Sequence, residues 1–331
     1  MRLSGTPVAV AFDAARDARY NPREIIQPAD DIAPAAAAVA GALRRAGAET
    51  ALVPVFAEIE RTIGLLRALE PAVVFNLCES FRGLTRLEPN VAALLEMLGL
   101  AFTGSGPDAL RLCLHKQRTK DVLSAHGVRV PRGGVVGSLP KMEFPMIVKP
   151  EQEDASTGLT FDSIVRDDAA LVDRVAALHC EVGSPVLVEE YVEGREFNVA
   201  FVGDEILPVS EIDFAGLPAG APAIVTHAGK WMEPSADYIG TVPVCPANVP
   251  ARLHERLRAL GRQCFDLTGV RGYGRVDVRL DARDRLYVLE VNPNPDLSAA
   301  AGLARAAAAA GWSHDELIVR IAETAMHRVG V

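Results

Sequence analysis

Several common sources of function are missing from this chain of 331 residues. No apolar run reaches the roughly 18 residues that a membrane-spanning helix needs, so no membrane protein is expected. Basic residues are not in excess: 34 Lys and Arg stand against 43 Asp and Glu, a net charge of −9. A dedicated nucleic-acid binder ordinarily carries a basic face, so no such partner is expected. Cys78, Cys113, Cys180, Cys245 and Cys264 are scattered, and none falls in Cys-x-x-Cys. An odd, dispersed set is poor material for a disulfide framework or a zinc site, and reads as small buried hydrophobes in a reducing cytoplasm. No Gly-x-Gly-x-x-Gly follows the first apolar strand, where Phe12-Asp13-Ala14-Ala15-Arg16-Asp17 holds no glycine, so a dinucleotide site there is not expected. Neither Gly-x-Ser-x-Gly nor a Cys/His arrangement for covalent catalysis is found. Met1 to Val10 lacks the apolar core and Ala-x-Ala site of a secretory signal, which leaves a cytoplasmic location as the expectation.

What is present is globular, with 49% hydrophobic and 23% charged residues over a length that suits two or three domains. Strands at Val8 to Phe12, Ala51 to Val55 and Val73 to Leu77 alternate with helices at Asp30 to Ala46, Ile59 to Leu69 and Asn90 to Leu98. That alternation predicts a covered parallel sheet. A single helix is expected over about Asp108 to Gly127, carrying Lys116 and Lys120. A small α+β unit follows, with strands at Phe144 to Lys149, Pro185 to Glu190 and Phe197 to Val202, and a helix near Asp167 to His179. Further strands are expected at Ile206 to Ile212, Arg275 to Leu280 and Tyr287 to Asn292, with helices at Pro250 to Thr268, Ala304 to Ala310 and Asp315 to Arg328. Between them Ala221 to Val244 is rich in Gly and Pro and weakly periodic, as a lid loop would be.

The strongest chemical signal is Arg275-Val276-Asp277-Val278-Arg279 followed by Leu289-Glu290-Val291-Asn292. Strand alternation puts Arg275, Asp277 and Arg279 on one face, Glu290 and Asn292 on one face of the next strand, and Val276, Val278, Leu289 and Val291 on the buried side. Two carboxylates and an amide carbonyl make an all-oxygen set suited to Mg²⁺. The competing reading is the solvated face of an edge hairpin. Lys116 and Lys149 are point charges that could meet phosphates or simply water. Val186 to Glu196, an apolar strand running into an acidic bend, is a weak signal alone.

Taken in order, Val74-Phe75-Asn76-Leu77-Cys78-Glu79, Thr103-Gly104-Ser105-Gly106, Lys116, Phe144 to Pro150, Glu189 to Glu196, Arg271-Gly272-Tyr273-Gly274-Arg275-Val276-Asp277 and Leu289 to Pro295 resemble the D-alanine–D-alanine ligases of the ATP-grasp superfamily. The resemblance implies a three-domain fold, α/β and α+β, with an N-terminal parallel-sheet domain over 1–105 and two domains, 106–191 and 192–331, clasping ATP. It implies phosphate contacts from Lys116, Lys149 and Ser156, and a base-and-ribose site at Glu189, Glu190, Tyr191, Val192 and Glu196. It further implies Mg²⁺, as a pair of ions with Mn²⁺ as a substitute, on Asp277, Glu290 and Asn292. Arg275 and Lys230 are the implied catalytic groups, and a homodimer is the implied assembly.

The departures concern substrate. The family's Gly-rich, Ser- and Glu-containing loop is replaced by Asp13 to Asp17. Its Glu-Gly-Ser-Ser-x-Gly loop is Glu153-Asp154-Ala155-Ser156-Thr157-Gly158, its lid tyrosine is Trp231, its glycine after the metal asparagine is Asp296, and a downstream serine is Ala301. Trp231 and Asp296 are therefore expected at the substrates. The expected activity is an ATP-dependent carboxylate–amine ligase acting through an acyl phosphate on amino acids or small peptides other than D-alanine pairs. The alternatives are a D-alanine–D-alanine ligase of cell-wall synthesis and a non-catalytic ATP-binding protein.

Overall fold

The computed structural model describes residues 3–14 and 32–326. Its first sheet is parallel. β1 (Pro7–Asp13), α1 (Ile32–Arg45), β2 (Glu49–Val55), α2 (Ile59–Leu69), β3 (Val73–Asn76) and α3 (Glu88–Met97) alternate along the chain, and the strands lie in the order β2-β1-β3. Val8 stands opposite both Thr50 and Val73. α1 forms because Ala36, Val39, Ala40 and Leu43 recur at helical spacing and bury one face. Its expected start at Asp30 lies outside the described residues, as do Ala15, Arg16 and Asp17 and the expected C-terminal end at Arg328.

The single helix expected over Asp108 to Gly127 is two. α4 (Pro107–Leu114) and α5 (Lys116–Ala125) are separated at His115, whose backbone is extended at φ −88° and ψ 90°. The Thr119 hydroxyl donates to the Leu112 carbonyl at 2.8 Å and secures the break. Lys116 thereby opens α5, its backbone N–H donating to the Glu151 carbonyl.

The second sheet is antiparallel, in the order β4-β7-β5-β6, built from β4 (Gly133–Val135), β5 (Met146–Pro150), β6 (Ile164–Val165) and β7 (Val186–Glu190). α6 (Asp168–Val182) covers one face through Leu178 against Val148, Val186 and Val188, and is N-capped by the Asp167 carboxylate.

The third sheet runs β11-β10-β8-β12-β13, with β9 beside β8. Its elements in chain order are β8 (Arg195–Val202), β9 (Glu205–Ile206), β10 (Ser210–Asp213), α7 (His227–Trp231), α8 (Ala236–Gly240), β11 (Val242–Val244), α9 (Ala251–Thr268), β12 (Tyr273–Leu280) and β13 (Leu286–Asn292). The strand expected over Ile206 to Ile212 is divided, because Pro208 has no N–H for a ladder. Ala221 to Val244 is not a bare loop. It holds α7 and α8, capped by the hydroxyls of Thr226 and Ser235, and then β11. Helices of five residues are too short to show a period in sequence. α9 lies close on β8: a Cβ on Gly261 would stand 2.6 Å from a Val199 methyl.

The expected buried face of the last hairpin also needs one correction. Val276, Val278, Val288 and Val291 enter the core, and Leu289 does not. Asp277 pairs with Glu290 but Val278 pairs with Val288, so Leu289 is the extra residue of a β-bulge. Finally, α10 (Gly302–Ala309) and α11 (His314–Met326) return to the first sheet, where Leu303, Leu317 and Ile321 share a core with Val10 and Leu43.

Candidate active site

Three adjacent strands of the third sheet carry a polar lattice on one face. Cross-strand register sets Glu196 opposite Arg279, Asn198 opposite Asp277, Asp277 opposite Glu290, and Arg275 opposite Asn292. Arg275 grips Asp277 with both arms of its guanidinium, at 2.6 and 2.8 Å, and Asn198 donates to the same carboxylate at 2.7 Å. Arg279 makes a second fork on Glu196, at 3.0 and 2.7 Å, and donates to the Val192 carbonyl at 3.1 Å. Burial favours the protonated form of Glu196 and Arg279 opposes it, the net being an upward shift.

The expected lysines converge on this lattice from other elements. Burial would raise Glu290, but Lys116, Lys149, Arg275 and Lys230 outweigh it and hold its carboxyl down to about 2. Lys116 comes from the start of α5 and binds the Glu153 carbonyl and Asp154. Lys149, on β5, pairs with Glu189 at 2.8 Å. Lys230, on α7, is pushed down by burial and by Arg275, against the pull of Glu290, Asp277 and Asp154.

The segment Glu151 to Thr160 closes over the same space. Ala155 and Ser156 both adopt left-handed backbone, at φ 57° and 60°, and the Trp231 indole donates to the Ala155 carbonyl at 3.0 Å. Trp231 therefore docks α7 onto this loop, while half its surface stays exposed.

Other expected groups are engaged as follows. The Glu189 side chain is wholly buried between Lys149 and Lys120, so its carboxylate is an anchor for lysines. The Glu190 carboxylate accepts from the Arg132 N–H at 3.1 Å, and the Tyr191 hydroxyl donates to the Ala223 carbonyl at 3.3 Å. Asp296 folds its carboxylate onto Ser298, accepting from the N–H and hydroxyl at 2.7 and 2.9 Å. Asn292 accepts from the Asn294 N–H at 3.0 Å. Among the described residues no three His, Cys, Asp or Glu side chains form a metal cage. The set present is two carboxylates and an amide oxygen on paired strands. That all-oxygen character fits a hard cation whose shell is completed by phosphates.

Sequence reasoning gave Lys120 and Asn198 no part in this site, and it placed Arg279 on the face of Arg275 and Asp277 without naming its partner. The i, i+4 spacing from Lys116 and the strand alternation through Asp277 were signals for Lys120 and Arg279; Asn198 had none. It also missed an acidic group at the C-terminal edge of the first sheet. The Asp13 carboxylate accepts from the Glu79 N–H at 3.2 Å and the Ser80 hydroxyl at 2.9 Å, and its other oxygen has no hydrogen-bond partner among the described residues. Burial lifts Asp13 to about 6. Crowding around Glu79, with Asp13, Asp296 and Asp154 nearby, shifts it upward, although the residue itself stays exposed to solvent. Glu88 accepts from the Asn294 amide at 2.9 Å, and Tyr273 donates its hydroxyl to Asn294 at 2.5 Å. Asn294 thus rivets the end of β13 to the first sheet.

This arrangement has relatives. The family model described as D-ala D-ala ligase C-terminus matches residues 135–323. An uncharacterized protein, y4sG, of Sinorhizobium fredii is 33% identical over 311 residues, 88% of this chain and 87% of that protein. A D-alanine–D-alanine ligase of Chromohalobacter salexigens is 32% identical over 269 residues, 78% of this chain and 79% of that one. Among solved structures, a D-alanine–D-alanine ligase from Bacillus anthracis complexed with ATP gives a TM-score of 0.74 over 98% of both chains at 20% identity, a likeness of fold. With more than half its length matched by that family model, the chain belongs to the D-alanine–D-alanine ligase-like family of ATP-grasp carbon–nitrogen ligases.

Proposed function

We propose that this protein uses ATP to join an amino-acid carboxylate to an amine. The carboxylate oxygen attacks the γ-phosphorus, ADP leaves, and an acyl phosphate forms. The amine then attacks the acyl carbon, phosphate leaves, and the nitrogen gives up a proton to yield the amide. One observation carries the reading: Lys116, Lys149, Lys230 and Arg275, from four different elements, bear on the single carboxylate of Glu290. Such a cluster of cations suits the charge on phosphoryl oxygens in transfer, where positioning and neutralisation supply most of the catalysis. In this reading Lys116 and Lys149 hold the phosphates with the Ser156 loop, and Lys230 covers the terminal one. Tyr191 and Val192 border the base, with Glu196 at the ribose. Arg275 steadies the acyl phosphate while fixing Asp277. Asp277, Glu290 and Asn292 would hold Mg²⁺, which supplies further neutralisation when bound.

The relatives' names support a D-alanine pair as the substrates. A second reading, amino acids or small peptides other than D-alanine pairs, is favoured by Asp13, a buried carboxylate with a spare oxygen at the edge where the resemblance implies a Ser/Glu loop. Ala301 adds to it, capping α10 with no side-chain hydrogen bond. Each hydrogen bond lost to a charged substrate group costs about one to two decades in rate constant. The test is kcat/KM for D-alanine dimerisation beside a panel of D- and L-amino acids and dipeptides, with mass detection of products. D-alanine preferred over the panel establishes the first reading. Another amino acid preferred by about two decades or more establishes the second. No ADP release with any of them removes the ligase assignment.

A further inference from the structure

Lys120 lies one helical turn beyond Lys116 on α5, so one face of that helix sends both ammonium groups into the cleft. Lys120 and Glu189 are among the most deeply buried charged side chains described, at 2% and 1% exposure. One oxygen of Glu189 takes the Lys120 ammonium and the other takes Lys149 at 2.8 Å. The strands explain the geometry. Glu189 on β7 stands opposite Ile147 on β5, and Lys149 is two residues along on the same face, within diagonal reach.

Burial pulls Lys120 down to about 7 against the carboxylate of Glu189, and below that pH a single carboxylate held between two ammonium groups leaves one net positive charge in a buried site. Without Lys120, Glu189 and Lys149 would form a closed pair of zero net charge, whose attraction for an anion is weaker. We infer that Lys120 is a positioning residue for nucleotide binding: by occupying half of Glu189 it keeps the cluster net positive and leaves Lys149 free to aim at phosphate, without touching the nucleotide itself. The inference rests on the reading of Lys149 as a phosphate-binding lysine.

Isothermal titration with MgATP tests it on four proteins: wild type, Lys120→Met, Lys120→Arg, and the double variant Lys120→Met with Glu189→Gln, with thermal melts to establish folding. Lys120→Met should weaken binding about ten- to fiftyfold, raising KM for ATP more than it lowers kcat. Lys120→Arg should bind within about threefold of wild type. The double variant should recover to within about fivefold of wild type, because the neutral amide in place of the Glu189 carboxylate no longer claims Lys149. Should Lys120→Met fail to fold, the double variant, which buries no unpaired carboxylate, decides the matter alone. Wild-type affinity in a folded Lys120→Met, or a double variant as weak as the single or weaker, overturns the inference. Wild type that does not bind ATP overturns the phosphate assignment of Lys149, and the inference with it.

Discussion

The two ends of the cleft handle buried carboxylates in opposite ways. On the lattice of β8, β12 and β13, Asp277 lies in the fork of Arg275, Glu196 in that of Arg279, and Glu290 among four cations. At the edge of the first sheet Asp13 and Glu79 gather without an ion pair among the described residues, Asp13 buried and lifted by that burial, Glu79 exposed beside it. Glu290 is thus held ionised at one end, while Asp13 is biased toward its neutral form at the other. The difference teaches that environment, rather than the acid itself, sets whether a carboxylate in this fold keeps its charge.

Four measurements would break or sharpen this contrast. The largest effect is expected from Glu290→Gln, which removes the carboxylate on which the cations converge. ADP release should fall about a thousandfold or more, while the thermal melt stays cooperative. Near-normal ADP production by the folded variant would dissolve the contrast at its better-defined end.

Next is Asp13→Asn. A carboxyl raised from 3.8 to about 6 on folding contributes stability below about pH 4 and loses it as pH rises through 6. The variant should be more stable than wild type at pH 8 by about 3 kcal/mol, with the gap closing toward pH 4. Glu290 has the opposite sign: held down, it contributes stability above its ordinary range and loses it as pH falls through about 2. Urea unfolding of both variants across pH should give opposed slopes, and parallel ones would refute the contrast.

Arg275→Lys comes third. It keeps the charge and loses the two-armed grip on Asp277, so kcat should fall about a hundredfold with the fold unchanged. The smallest effect belongs to Trp231→Phe, which removes only the bond to the Ala155 carbonyl. KM for ATP should rise about two- to fivefold, with faster proteolysis of the 221–244 segment. Unchanged proteolysis would mean that this bond does not hold α7 on the loop.

Much of this was legible in the sequence for identifiable reasons. α2 has the limits that its periodicity predicts, Ile59 to Leu69, and the faces of Arg275 with Asp277 and of Glu290 with Asn292 followed from alternation alone. What stayed hidden depended on partners distant in the chain. The His115 break draws on Thr119 and Glu151, and the division of 206–212 on a ladder that Pro208 cannot join. The lysines on Glu189 meet across two elements, and no local pattern marks which of several lysines does so. The acidic edge joins the ends of β1 and β3, which neighbour each other only after folding.

The bulge at Leu289 absorbs one extra residue, so that Val288 and Val291 share the core face while Glu290 and Asn292 keep the lattice face. With Leu289 present, Glu290 and Asn292 fall opposite Asp277 and Arg275. Without Leu289, Val288 would adjoin Glu290 and the ladder would run on regularly, with Glu290 still opposite Asp277, whereas one residue more or fewer between 290 and 292 would turn Asn292 to the core face. No substitution repairs such a shift. The turn at 281–285 lies outside the ladder and can lengthen freely, so across relatives gaps belong in the turn or at position 289, and none belongs between 290 and 292.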